Sequence, residues 1–374
     1  MKSMNIIHRR SFLKQFSIGT LGVSMFSFYP EKKGEAFIDK LLPAPVGGGF
    51  AMDDYWVWGS SVIKGTDGLY HMFADRWAKD LGFGAWVTNS EVVHAVSETP
   101  EGPYRFVGVA LPKRGREFFD GLVTHNPRVI LFEGVYYLYY FGTTYDFPVP
   151  VPGVKWEDDW FGRAWMNKRI GVARSESLNG PWQRMDHPVL QPRPGKWDAS
   201  ITTNPSPVVN PVTGKMLLMY KSSSKDWHPP LLLGVAEADH PQGEYRRLGD
   251  GPVFHFHTDQ DKNNDVEDPF VWWAGDRYEL IMKDRFGHIC GEKGGGIHAF
   301  SPDGINWKLS DPVKAYSRYV KWQDGRVTYQ ANFERPFLLF EDGKPTHLFA
   351  ATGTGGKQWA FEKTWNMVIP LRKE

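Results

Sequence analysis

The sequence predicts an all-β fold, a five-bladed β-propeller with four antiparallel strands per blade. Three observations carry that reading. Two short strand signatures alternate along the chain, glycine, proline and aspartate mark turns at regular spacing, and no long stretch with a 3.6-residue apolar period competes with them. Aromatic content agrees, because 16 Trp, 15 Tyr and 25 Phe among 374 residues suit a core of packed sheets.

The first signature is a polar pair, a proline, an apolar strand, a glycine turn and a second aromatic strand. It reads His125-Asn126-Pro127 to Gly134 and Tyr136-Tyr137-Leu138-Tyr139-Tyr140, then Asn204-Pro205 to Gly214 and Leu217-Leu218-Met219-Tyr220. It returns as Glu267-Asp268-Pro269 to Gly275 with Tyr278-Glu279-Leu280-Ile281, and as Glu334-Arg335-Pro336 to Gly343 with His347-Leu348-Phe349. A copy without the proline opens the series, where Trp58-Gly59-Ser60-Ser61-Val62-Ile63 turns at Asp67-Gly68. Five copies predict five inner hairpins.

The second signature, a small-residue strand followed by a turn and an aromatic residue, succeeds each of the first four copies. Its glycines, Gly102, Gly180, Gly243 and Gly304, recur at intervals of 78, 63 and 61 residues. Two hairpins per period make one blade, which buries both faces only against its neighbours. The longer first interval predicts an insertion at Tyr145 to Trp165, in the place where a compact domain carries a lid or binding rim.

The N-terminus reads as a targeting segment. Arg9-Arg10-Ser11-Phe12-Leu13-Lys14 is a twin-arginine pattern ahead of the apolar stretch Phe16 to Phe28, and small residues suggest cleavage after Ala36. The expected organisation is therefore a signal peptide over 1–36 and one propeller domain over 37–374, in the periplasm or cell envelope, with no membrane span in the mature chain. A formal charge of +1 argues against a nucleic-acid groove or a polybasic membrane surface. The single cysteine, Cys290, excludes an internal disulfide and a thiolate zinc cluster.

In such a ring the inner strands run along a central channel, so the polar pairs converge on one funnel mouth. Gly59-Ser60, His125-Asn126, Asn204, Glu267-Asp268 and Glu334-Arg335 come from five blades, and Asp53 and Asp54 lie shortly upstream of the first strand. Facing carboxylates are what glycosidic bond cleavage requires, one as acid and the other as base or nucleophile. Trp56, Trp58, Trp272 and Trp322 offer stacking walls, and Arg76, Lys221, Lys283 and Arg335 offer cations that recognise a carboxylated or sulfated sugar. Asp268 and Asn204 read equally well as turn caps before proline. His255 and His257 alternate on one strand without a clear third metal ligand.

These residues resemble the five-bladed propeller glycosidases, above all glycoside hydrolase family 43, over residues 50 to 370. Val266-Glu267-Asp268-Pro269 is similar to that family's Glu-Gly-Pro element, which implies general-acid duty for Glu267. Where the family places its general-base aspartate this sequence has Gly59-Ser60-Ser61, which leaves Asp54 or Asp53 as substitutes. The family's second-blade aspartate falls near His125-Asn126. The expected activity is removal of a terminal sugar from an anionic plant or algal oligosaccharide, with Glu267 as proton donor and Asp54 or Glu334 activating water. Two alternatives stand beside it. One is a lyase or dehydratase in which His125 or a tyrosine abstracts the proton next to a uronate carboxylate, and the other is a non-catalytic glycan-binding propeller. The expected substrate contacts are Trp58, Arg76, Asn126, Asn204, Lys221, Asp268, Lys283 and Arg335. No cofactor is expected, and the channel leaves room for a structural calcium.

Overall fold

A computed structural model describes residues 35–225, 230–256, 265–355 and 360–373. The first blade consists of β1 (Tyr55–Lys64), β2 (Tyr70–Ala78), β3 (Glu91–Ser97) and β4 (Arg105–Leu111). The second holds β5 (Val123–Phe132), β6 (Val135–Thr143), β7 (Arg169–Ser175) and the two-residue edge β8 (Gln183–Arg184). The third is β9 (Thr203–Val209), β10 (Met216–Ser222), β11 (Leu232–Ala238) and β12 (Arg246–Arg247). The fourth is β13 (Val266–Trp273), β14 (Tyr278–Asp284), β15 (Gly296–Ser301) and β16 (Lys308–Lys314). After a small hairpin of β17 (Tyr319–Lys321) and β18 (Val327–Tyr329), the fifth blade follows with β19 (Phe333–Glu341), β20 (Lys344–Thr354) and β21 (Lys363–Pro370).

The fifth blade lacks its own second signature because the chain supplies that edge from its other end. Phe50 bridges Asn366 and Leu41 bridges Leu371, both antiparallel, so residues 41–50 lie along β21 as its outer edge. Phe37 and Phe50 bury their rings in the core beside Phe349 and Val368, which anchors this strap. Inner strands β1, β5, β9, β13 and β19 pack side by side in a closed ring. Across the closing seam, Val57 donates its amide to Thr364 Oγ1 at 2.9 Å, and Ser60 Oγ donates to Asn366 Oδ1 at 2.5 Å.

All five predicted inner-hairpin turns carry their glycine at positive φ: Gly68, Gly134, Gly214, Gly275 and Gly343. Glu133-Gly134 and Asp342-Gly343 place two such residues in succession, the backbone a two-residue hairpin needs. The polar pairs lie within the inner strands rather than just ahead of them. Each inner strand breaks register there, between Val57 and Ser60, His125 and Arg128, Glu267 and Phe270, Glu334 and Phe337, and on β9 opposite Met219 and Lys221. At this bulge Asn126, Asn204, Asp268 and Arg335 all adopt a left-handed backbone, with φ of 56, 52, 58 and 57°. That conformation costs a non-glycine residue about 1–3 kcal/mol and is least unfavourable for Asn and Asp. The sequence repeat is thus the record of a repeated bulge, which tilts side chains into the channel.

The insertion between β6 and β7 holds a short helix, α2 (Trp160–Met166), preceded in the first blade by α1 (Trp86–Asn89). Trp160 and Trp165 bury their rings with Phe147, Tyr145 and Trp86, so apolar packing holds the predicted insertion against the first blade's helix. Except for Glu35 and Ala36, the expected signal segment lies outside the described residues, as does His257. No helix among the described residues is long and apolar enough to cross a membrane.

Candidate active site

A cavity of about 630 Å³ opens over the bulged ends of the inner strands. Its charged walls are Lys168, Lys221, Lys283, Arg285, Lys293, Arg335, Glu267 and Glu334, and Trp86, Phe141, Phe161, Trp165 and Phe286 supply apolar surface. Six basic side chains against two acidic ones make a strongly cationic pocket in a chain of nearly balanced charge.

Each acidic group is held by lysines from the second strand of a blade. Lys221, at the end of β10, donates to Glu267 Oε2 at 2.9 Å, and Lys283, near the end of β14, donates to Glu267 Oε1 at 3.1 Å. Lys283 also bonds Glu334, which accepts from Asn332 Nδ2 at 3.1 Å as well. Arg285 Nε approaches Glu267 at 3.6 Å while its guanidinium grips Asp265 at 2.9 and 2.7 Å. Burial alone would raise the Glu267 carboxyl, but Lys221, Lys283, Arg285 and Arg335 outweigh it and hold the group well below the usual carboxylate range. Burial lowers Lys221 to about 8, against the pull of Glu267. Lys283 is raised, because its two glutamates outweigh its burial. Since one ammonium bonds both glutamates, the two carboxylates stand within two hydrogen-bond lengths of each other.

Lys168 is a cavity residue the sequence did not single out. It precedes β7, is 1% exposed, and sets its ammonium nitrogen 3.7 Å from the centre of the Trp165 ring, with Trp86 and Phe141 beyond. No carboxylate bonds it among the described residues. Burial, then the charges of Lys221 and Arg335, push it well below the ordinary lysine range. Arg285, Lys293, Trp86, Trp165 and Phe286 were likewise unmarked, since loops and strand ends carry no periodic signal.

The axis beneath the cavity is a polar lattice. Asp268 accepts from Asn204 Nδ2 at 2.6 Å and from the Arg335 backbone amide at 3.2 Å, and it pairs with the Arg335 guanidinium. A side chain at Gly59 would meet Arg335 Cγ at 3.1 Å and Asp75 Oδ2 at 3.2 Å. A side chain at this position would require Arg335 or Asp75 to shift by a few tenths of an ångström. Buried Asp75, on β2, places a carboxylate beside this glycine. Its Oδ1 accepts the Asn126 amide at 2.8 Å, and its Oδ2 faces His125 Nε2 at 3.4 Å. Burial raises Asp75 well above its ordinary value, and burial likewise drives His125 well below its own.

Several expected residues lie elsewhere. Asp53 and Asp54 are exposed and do not line the cavity, because the turn before β1 carries them outward. Arg76 leaves the funnel to pair with Glu91 at 2.9 Å and to stack on Tyr55 and Phe106. Trp56 and Trp58 are buried in the aromatic cluster of Phe83 and Trp77. Trp272 stacks on His298, Trp322 lines a separate surface pocket, and His255 is exposed. His125 and Asn126 are buried beneath the cavity; among the described residues neither side-chain polar atom of Asn126 has a hydrogen-bond partner. Glu267, Glu334, Asn204, Lys221, Lys283 and Arg335 do converge on the cavity, with Asp268 below. Among the described residues no three His, Cys, Asp or Glu side chains are arranged to hold a metal, and the axial acid Asp268 is already engaged by Arg335 and Asn204.

A wider cavity of about 1020 Å³ lies alongside, walled by Arg116, Asp146, Asp158, Asp159 and Arg163 from the insertion and its surroundings. Phe161 lines both cavities, so the insertion forms a rim between them.

No family model matches the chain, and no curated protein matches it in sequence. Solved structures do share its fold, which is that of the five-bladed propeller glycoside hydrolases. It is similar to a family 117 glycoside hydrolase produced by the marine bacterium Zobellia galactanivorans, with 17% identity and a TM-score of 0.59, covering 88% of this chain and 87% of the other. The catalytic domain of a GH62 α-L-arabinofuranosidase from Coprinopsis cinerea gives 12% identity and a TM-score of 0.59, over 90% of this chain and 98% of the other. A thermostable family-43 glycoside hydrolase gives 13% identity and a TM-score of 0.54, over 86% of this chain and 91% of the other. At these identities the likeness is one of fold.

Proposed function

We propose that this chain is a glycoside hydrolase acting on an anionic sugar bound in the axial cavity. The observation that carries the reading is the convergence of Glu267 and Glu334 on one pocket whose other ionisable walls are six basic side chains. Aromatic faces and paired carboxylates suit a sugar ring and its glycosidic bond, while the cation excess suits a carboxylate or sulfate on that ring. In this mechanism Glu267 delivers the proton to the leaving oxygen and Glu334 attacks the anomeric carbon. Water then releases the sugar with Glu267 as base. Structural neighbours that are glycoside hydrolases, an arabinofuranosidase among them, support the general class. The twin-arginine pattern supports a site of action beyond the inner membrane, which cell fractionation tests.

Elimination is a second reading, and Lys168 favours it. A buried amine whose charged form is disfavoured by burial and by neighbouring Lys221 and Arg335 is suited to accept a proton, and those two cations are placed to neutralise a developing carboxylate-stabilised charge.

Incubation with acidic algal and pectic oligosaccharides separates the two. Hydrolysis releases reducing sugar without ultraviolet absorbance from an unsaturated uronate. Appearance of that absorbance, and its loss in Lys168→Met, assigns elimination. Binding without turnover across the panel rejects both.

A further inference from the structure

Within the chain both oxygens of Glu267 are engaged by cations: Lys221 on Oε2, Lys283 and Arg285 on Oε1. A carboxyl that donates a proton must first carry one, and three cationic groups around two oxygens oppose that. The cations are not held equally. Arg285 is tied down by Asp265, and Lys283 is shared with Glu334. Lys221 has Glu267 as its one acidic partner among the described residues, and its side chain lines the cavity. Of the groups facing Glu267 from the packed elements, Lys221, Lys283, Arg285, Arg335, Lys168, Glu334 and Asp265, it is the one an entering anion can draw away at least cost to other pairs.

We propose that the anionic group of the substrate arms Glu267: a sugar carboxylate or sulfate draws the Lys221 ammonium onto itself, and Glu267 then takes a proton from water. This rests on the hydrolase reading above. The balance closes. The proton taken up on binding passes to the leaving oxygen as the C–O bond breaks and the Glu334 ester forms. Water then gives its hydroxyl to the anomeric carbon and its proton back to Glu267, and that proton returns to solvent when the product leaves. The substrate's charge is therefore read in the chemical step. A neutral sugar of the same shape lacks the group that frees Glu267, and its kcat falls on the order of 10²–10⁴-fold, the worth of a general acid.

Calorimetric titration of the full chain near neutral pH, in buffers of different ionisation enthalpy, tests this with D-galacturonate, D-glucuronate and methyl β-D-galactopyranoside as probes. The expected result is uptake of about one proton per bound sugar acid, none with the neutral galactoside and none in Glu267→Gln. Lys221→Met provides a second variant should the first fail to fold, with uptake well below that of the parent. Sugar-acid binding without proton uptake, or unchanged uptake in Glu267→Gln, overturns the proposal and leaves the hydrolase reading standing. Cleavage of neutral oligosaccharides with no binding of either acid overturns the anionic reading itself.

Discussion

The carboxylate of Asp75, on β2, accepts the backbone amide of Asn126 on β5 at 2.8 Å, across the seam between the first two blades. It holds the bulge of the second blade in its left-handed conformation without offering a charge to the cavity. Asp75→Ala leaves that buried amide unsatisfied and is expected to cost about 1–3 kcal/mol. Asp75→Asn keeps an oxygen acceptor and stays within about 1 kcal/mol of the parent, since the ionised acid already suffers from burial. Denaturant melts of the two variants check the difference, and equal losses would refute it.

Glu267 is a structural group as well as the proposed proton donor. Glu267→Gln strands Lys221 and part of Lys283 in a buried place, so stability near neutral pH is expected to fall by about 3–5 kcal/mol. Because the folded protein holds this acid below its unfolded value, its contribution is present above pH ~4.3 and is lost as pH falls through the lower folded value. The variant's stability should consequently depend less on pH in that acid range.

In the proposed hydrolysis the spacing of the carboxylates sets the stereochemistry. Lys283 bonds both Glu267 and Glu334, which keeps their facing oxygens within two hydrogen-bond lengths, short of the gap of about 6.5–9.5 Å that admits a water between the carboxyl groups. Proton NMR of the first product formed should show retained anomeric configuration. Inverted product would require a base other than Glu334.

A pair of histidines in the first blade sets a second acid limb. His71 Nδ1 and His94 Nε2 lie 2.9 Å apart with their rings stacked, and burial lowers His94 to about 4. The unfolded chain binds this proton near pH 6.5 and the folded chain does not, so stability declines as pH drops from about 6.5 to 4, by on the order of 3 kcal/mol. Urea melts of His94→Gln across that range should show the slope reduced by close to one proton.

The architecture was legible because its repeating element is chemically demanding. A left-handed residue before proline selects Asn or Asp, and a tight hairpin selects glycine, so Asn126, Asn204 and Asp268 with their glycines announced the blades. Glu267 and Glu334 followed from that count, as neighbours of the bulge. Asp54 did not, since a position shortly before a strand leaves open whether the chain rises toward the axis or turns out to solvent. Asp75 and Lys168 carried no motif, and only the packing of β2 and of the residue before β7 gives them their environments. The fifth blade's missing edge was invisible for a different reason: its partner lies some three hundred residues away in sequence.

That borrowed edge governs how the molecule can be assembled. Because the strap around Phe50 seals against β21 and its neighbours, the circle is shut by the two ends of the folded chain meeting, and no intermediate length can complete it. A ribosome-bound chain would hold four sheets and an open cleft until the last strand emerges. Glu267 belongs to the fourth blade and Glu334 to the fifth, the last to be made, so the pocket acquires its paired acids only in the closing moments of folding.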